Sequence, residues 1–201
     1  MNLKCFLISI SLFLFCACQH TYERPEDYQH PKVAIETELG TIVVELYEED
    51  APNTVSNFIL LTESGFYDDM LIHLIVPGTF MQGGCPNTKI GATGKAGLGG
   101  PGYFIDNEVV DHLKHSKRGM LSMARAMGEN SSGSQFIILF DKVPVLDGKQ
   151  TVFGKVIQGL EVLELIEQAG SRTGIPKKEI TFRVKVLRKN NIIYKVNKRE
   201  K

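Results

Sequence analysis

Runs of β-forming apolar residues recur along this chain between Gly and Pro breaks, at least one of them alternating with polar residues, and two stretches carry a helical period instead. Val33-Ala34-Ile35-Glu36-Thr37 and Thr41-Ile42-Val43-Val44-Glu45-Leu46 are β-rich runs on either side of Leu39-Gly40, which reads as a hairpin. Asp50-Ala51-Pro52 predicts a helix start, with Asp50 as the cap and Pro52 tolerated in the first turn. Val55, Phe58, Ile59 and Thr62 give that helix one face, and Gly65 stops it. Leu71 to Val76 and Thr79 to Gln82 are strands broken by Pro77-Gly78, followed by a glycine-rich loop from Gly91 to Gly102. Gly119 to Ala124, Gln135 to Phe140 and Thr151 to Ile157 are further strands. Leu160, Val162, Leu163, Leu165 and Ile166 mark a second short helix ending near Gly170, and Ile180 to Leu187 alternates again. About eight strands and two helices with regular turn signals predict a mainly β fold, a closed eight-stranded barrel capped by two α-helices, because closure removes exposed edges.

The one long apolar run lies at the N-terminus. Lys4 precedes Cys5 to Phe15, a layout suited to a secretory signal and short for a membrane span. The run ends in Phe15-Cys16-Ala17-Cys18, which resembles a bacterial lipoprotein box, so residues 1–17 are expected to be removed and Cys18 to be acylated. A multi-chain anchor there implies an exported protein held to a bacterial membrane, on its periplasmic or surface side. Residues 18–32 then form a polar tether with Pro25 and Pro31, residues 33–190 the folded domain, and residues 191–201 a basic, solvated tail.

Charge narrows the possible partners. The 201 residues carry 23 Lys+Arg and 23 Asp+Glu. Loss of Lys4 with the signal leaves 22 basic against 23 acidic side chains. A balanced surface argues against nucleic acid, whose binding needs a basic face. A polytopic membrane protein is excluded by the single apolar run, and a monomer is the expected state. Of the four cysteines only Cys18 and Cys85 remain after cleavage, so an acylated Cys18 leaves Cys85 without an intramolecular partner, an inert thiol at an exposed place after Gly84. Gly91-Ala92-Thr93-Gly94-Lys95-Ala96 is not a phosphate loop, since Lys89 occupies the place of the leading Gly and Ala96 that of Ser/Thr. His112 and His115 have helical metal spacing, but no further ligands complete a site. No metal or cofactor is expected.

Several ordered motifs carry a resemblance. Ala51-Pro52-Asn53-Thr54-Val55-Ser56-Asn57-Phe58, Gly65-Phe66-Tyr67-Asp68 and the stretch from Ile72 to Gly84 are followed by Gly99-Gly100-Pro101-Gly102-Tyr103. Then come Leu121-Ser122-Met123-Ala124, Gly133-Ser134-Gln135-Phe136, Leu146-Asp147-Gly148-Lys149 and Val152-Phe153-Gly154-Lys155-Val156. Together, over about Val33 to Arg188, they resemble the cyclophilin family of peptidyl-prolyl isomerases. The resemblance implies a cyclophilin-like barrel and proline-containing polypeptides as substrates. It assigns Gln82 to holding the peptide and His73, Phe80, Ala124, Gln135, Ile137, Leu146 and Gln150 to substrate-contacting positions.

It also exposes departures. Leu74 stands where the family has its catalytic arginine, Thr79 where a Phe follows Pro-Gly, Ile137 at a pocket Phe, Val145 where many members carry Trp, and Gln150 at a pocket His. Rotation about an X-Pro bond breaks amide resonance, with a barrier of about 18–20 kcal/mol, and makes or breaks no covalent bond. The resemblance gives the arginine the role of a donor to the proline nitrogen in the twisted amide. Without it the activity is expected to be weak, and the alternative is an impaired module that binds proline segments or a partner. Arg125 is the one candidate for a substitute donor, against a plain reading as a solvated surface arginine.

Overall fold

The computed structural model describes residues 28–125 and 130–200. The expected signal and Cys18 lie outside the described residues. The chain runs β1 (Lys32–Thr37), β2 (Gly40–Leu46), α1 (Pro52–Glu63), β3 (Met70–Leu71), β4 (Leu74–Val76), β5 (Phe80–Gly83), β6 (Met120–Arg125), β7 (Ser132–Leu139), β8 (Val152–Gln158), α2 (Leu160–Gln168) and β9 (Thr181–Arg188). The strands form one antiparallel sheet in the order β3-β9-β1-β2-β8-β6-β7-β5-β4. The fold is mainly β with two helices, as expected, but the sheet is an open, strongly curled nine-stranded half-barrel rather than a closed eight-stranded one.

The reason lies in the run from Met70 to Val76. Its first two residues pair with β9 and its last three with β5, so they become the two ends of the sheet. Between them Ile72 donates its N–H to Ile180 on one side and His73 donates to Gln82 on the other. Chain continuity, not a strand ladder, spans the gap.

Alternation decides what each strand buries. On β5, Met81 points inward and Phe80 and Gln82 outward; on β7, Phe136 and Ile138 point inward and Gln135, Ile137 and Leu139 outward. Inside, an aromatic cluster fills the curl. Phe58 of α1 packs at 5.1–5.5 Å centroid distance on Tyr67, Phe136 and Phe153, mostly edge to face, and Phe136 continues to Phe182 at 5.7 Å. Helix α1 covers β9 and β7, and α2 covers β2, β4 and β5.

Two local expectations are corrected. Asp50 does not cap α1; its carboxylate faces His112 at 2.8 Å. The N-terminal donors are taken by Glu108, which accepts from Asn53 N at 2.9 Å and Thr54 N at 2.7 Å. A carboxylate there also complements the helix dipole. The tail, expected to be a solvated end, does expose Lys195 and Asn197 to Glu200, but it is also tied to the domain. Tyr194 is buried, Asn53 and Asn197 exchange hydrogen bonds at 2.7 and 3.2 Å, and Phe104 and Arg199 form a two-bond bridge at 2.8 and 3.0 Å. Burial of Tyr194 and the backbone pairing of Arg199 with Phe104 hold the tail in place.

Candidate active site

The outward residues of four adjacent strands make the site. Register places Leu74 opposite Gln82, Gln82 opposite Ile137 and Ile137 opposite Ser122, a single row across β4, β5, β7 and β6. Directly opposed residues stand about 4.5–5.5 Å apart at Cβ. Ala124 sits at an irregularity in β6, between Met123 and Arg125, where the β6–β7 register shifts. A bulge of this kind re-aims side chains next to a site.

One side of the groove is apolar. Phe80, Ala124, Ile137 and Leu146 belong to one cluster, which continues under Met120, Leu139, Val143 and Val152. Tyr47 lies at its margin, with its hydroxyl pushed up to about 12 by burial first and then by the charges of Glu45 and Asp50. Leu146 is carried on a 3-10 turn, Pro144–Leu146, that a buried clamp holds. Asp147 accepts from the His115 main-chain N–H at 2.7 Å and pairs with its Nδ1 at 2.9 Å, while Nε2 meets Ser122 Oγ at 2.9 Å. Ser122 Oγ in turn donates to the Thr151 carbonyl at 3.0 Å. A serine that is fully buried and already donating serves as a strut, so Ser122, His115 and Asp147 are structural despite their order. Burial lowers the His115 pKa, outweighing the opposing hydrogen bond and charge of Asp147. Burial acts upward on Asp147, but the two bonds from His115 win and its pKa is lowered.

The other side is polar. Gln82 Nε2 donates to Gln135 Oε1 at 2.8 Å, and Gln135 Nε2 donates to the carbonyls of Gly97 and Gly99, both at 2.8 Å. Beside this pair opens a cavity of about 130 Å³ lined by Gln82, Gln135, Gly99, Phe104, Ala124 and Arg125. Arg125 is half-buried there, and its Nε is enclosed without a partner.

The remaining expected residues have other neighbours, Leu74 among them although it shares the row with Gln82. Leu74 leans on the neighbouring loop, where a Cβ on Gly174 would lie 2.5 Å from its Cδ1. His73, one residue earlier, lies beside Gly97, where an added Cβ would stand 3.8 Å from its Nε2. Burial lowers its pKa, and its Nδ1 is enclosed without a partner. Gln150 donates its N–H to the Leu146 carbonyl at 3.2 Å, and its side-chain oxygen is buried without a partner. Val145 is exposed. His112 and His115 have separate partners and do not converge. The sequence alone did not single out Phe104, Tyr47 or the carbonyls of Gly97 and Gly99; the glycine run was the only signal for the last two.

Known proteins share this fold and much of this sequence. Residues 32–189 match the family model described as cyclophilin type peptidyl-prolyl cis-trans isomerase. A peptidyl-prolyl cis-trans isomerase of Helicobacter pylori is 43% identical over 153 residues, covering 74% of this chain and 88% of that protein. One of Arabidopsis thaliana is 42% identical over 142 residues, covering 71% and 86%. The crystal structure of a cyclophilin-type isomerase of Cryptosporidium parvum superposes with a TM-score of 0.72 at 32% identity, covering 81% of this chain and 100% of that one. A structure determined in the presence of the dipeptide Ala-Pro scores 0.71 at 34% identity, covering 79% and 99%. The chain belongs to the cyclophilin-type peptidyl-prolyl cis-trans isomerase family.

Proposed function

We propose that this chain is an exported isomerase, anchored through an acylated Cys18, that turns X-Pro bonds in proline-containing polypeptides and assists their folding outside the cytoplasm. The observation that carries the catalytic part is the juxtaposition of an apolar wall, Phe80, Ile137 and Leu146, with the Gln82–Gln135 pair. The proline ring would bury against the wall, at about 25 cal/mol per Å² of apolar surface removed from water. Gln82, whose N–H already serves Gln135, would offer its Oε1 to a peptide N–H. The ring held on one side and the backbone on the other leave the intervening amide free to twist.

What this groove lacks is the family arginine, because an alkyl chain occupies position 74; Arg125, which lines the cavity beside Gln82, is the one candidate for a substitute donor. By analogy with deletion of one oxyanion donor, the missing arginine costs about 10²–10³ in rate, or about 2.7–4 kcal/mol. The packing of Leu74 on Gly174 favours a second reading, a module that binds proline segments without useful turnover.

The test is catalysed cis/trans exchange of a proline peptide, read by NMR, for residues 19–201 with Leu74→Arg and Gln82→Ala. Parent acceleration that Gln82→Ala abolishes supports the isomerase. Binding without acceleration, together with activity gained by Leu74→Arg, supports the binding module. Absence of binding by every form overturns both. Export and anchoring are checked separately by the mass of the membrane-bound protein, which must lose its acyl increment in Cys18→Ser.

A further inference from the structure

The polar wall continues beneath the surface to a buried sulfur. Gly84 has φ +85, and a Cβ on it would lie 2.3 Å from the Ser134 carbonyl oxygen, so the chain leaves β5 hard against β7 only because this residue is glycine. Cys85 follows and is fully buried, a free thiol rather than the exposed one expected from its place after Gly84. Its Sγ accepts the main-chain N–H of Gly97 at 3.2 Å and of Gly99 at 3.3 Å. The carbonyls of the same two glycines both accept from Gln135 Nε2.

This arrangement settles which way two amides face. Two carbonyls can be served only by the NH₂ end of Gln135. Its Oε1 is therefore turned toward Gln82, which must answer with its own NH₂, and the observed 2.8 Å bond has that sense. Gln82 is left presenting an acceptor, Oε1, to the groove. The direction of the Gln82 amide thus depends on where the carbonyls of Gly97 and Gly99 point, and those residues are tied to Cys85 through their N–H groups. No other side chain provides an acceptor for these two N–H groups among the described residues.

We propose that Cys85 is a positioning residue of this isomerase, its sulfur holding the glycine-rich loop so that Gln135 fixes the amide sense of Gln82. The proposal rests on the reading that Gln82 receives the peptide. No bond to sulfur is made or broken in this role. Sulfur is a weak acceptor, but two donors converge on it in a dry place, where losing the acceptor leaves both N–H groups unsatisfied.

The test uses the full chain, ¹⁵N-labelled, with Cys85→Ala, Cys85→Val and Cys85→Asp. Valine keeps bulk without an acceptor; aspartate keeps an acceptor. Both acceptor-less variants are expected to shift the side-chain NH₂ signals of Gln82 and Gln135 and to speed amide exchange at Gly97 and Gly99 by about tenfold. The dissociation constant for a proline-containing tetrapeptide should rise about fivefold, the scale of one neutral hydrogen bond. The exchange rate at saturating peptide should stay within about twofold. Cys85→Asp should restore the glutamine signals and the affinity toward the parent values. Unmoved glutamine signals in Cys85→Val, or a Cys85→Asp that behaves like Cys85→Val, overturn the proposal. Signals that move while affinity does not uphold the relay and overturn the assignment of Gln82 to the peptide. If Cys85→Ala does not fold, Cys85→Val against Cys85→Asp decides alone.

Discussion

The apolar wall of the groove and its polar wall are neighbours on the same strands, yet they are held in different ways. Phe80, Ile137 and Leu146 keep their places by packing on a shared cluster, with the His115–Asp147 clamp fixing only the turn that carries Leu146. Gln82 and Gln135 keep theirs by directional bonds that run through two glycines to a sulfur. Packing is graded: removing some atoms loses some area. A hydrogen-bond relay is not, because one missing acceptor lets an amide turn over and replaces an acceptor by a donor. Ile137 therefore needs only to fill area in its cluster, whereas each glutamine must keep its direction.

The largest effect should come from beneath both walls. Phe136 is fully buried between Phe58, Tyr67 and Phe182. Phe136→Ala should cost about 3–5 kcal/mol of stability in denaturant unfolding. The two walls should fail together, seen as simultaneous loss of peptide binding and of the glutamine side-chain signals; binding retained at full strength would show that the walls do not share a foundation.

A middle-sized effect should appear with pH, and on the apolar side. His115 and His73 both have lowered pKa values in the folded chain, through burial first. Above the ordinary histidine value of about 6.5 both states are neutral and the terms cancel. As pH falls below it, the unfolded chain takes up protons that the folded chain refuses, so stability drops toward the folded pKa values. Thermal unfolding from about pH 7.5 down to about pH 5 should show a falling midpoint, and His115→Asn should flatten part of the fall. An unchanged slope in that variant would remove His115 from the account.

The smallest effect isolates the apolar wall itself. Leu146 is only partly buried at the edge of its cluster. Leu146→Ala should weaken proline-peptide binding by about 1–2 kcal/mol, roughly tenfold, with little change in unfolding midpoint. The NH₂ signals of Gln82 should not move. A shift there would mean that the walls are coupled directly and that the contrast between them is wrong.

How much of this was legible along the chain follows from the range of the interactions. β-rich runs between Gly and Pro breaks already mark β5 and β7 as strands, but Phe80-Met81 and the run from Phe136 to Phe140 are apolar throughout, so facing came from the ladder. Pro52 and Gly65 bounded the first helix because both act on their own backbone. The motif order pointed to the same family that the comparisons return. Four features were not readable, and each is a contact between distant residues. The cap of α1 comes from Glu108, 55 positions beyond Asn53, in place of the adjacent Asp50. The run from Met70 to Val76 divides between two sheet edges. The tail finds Phe104 and Asn53. Cys85 is buried by a loop whose glycines, taken as sequence, signalled only a loop.

The sequence by itself therefore determined the strands and the helices, since these depend on short β-rich runs, on the 3.6-residue period and on the backbone limits of Gly and Pro. Tertiary structure alone decided that the sheet is left open, that Leu74 lies in the same row as Gln82, and that a thiol stands behind the glutamines. Hydrogen bonds and packing join groups by distance in space, and only the folded chain sets those distances.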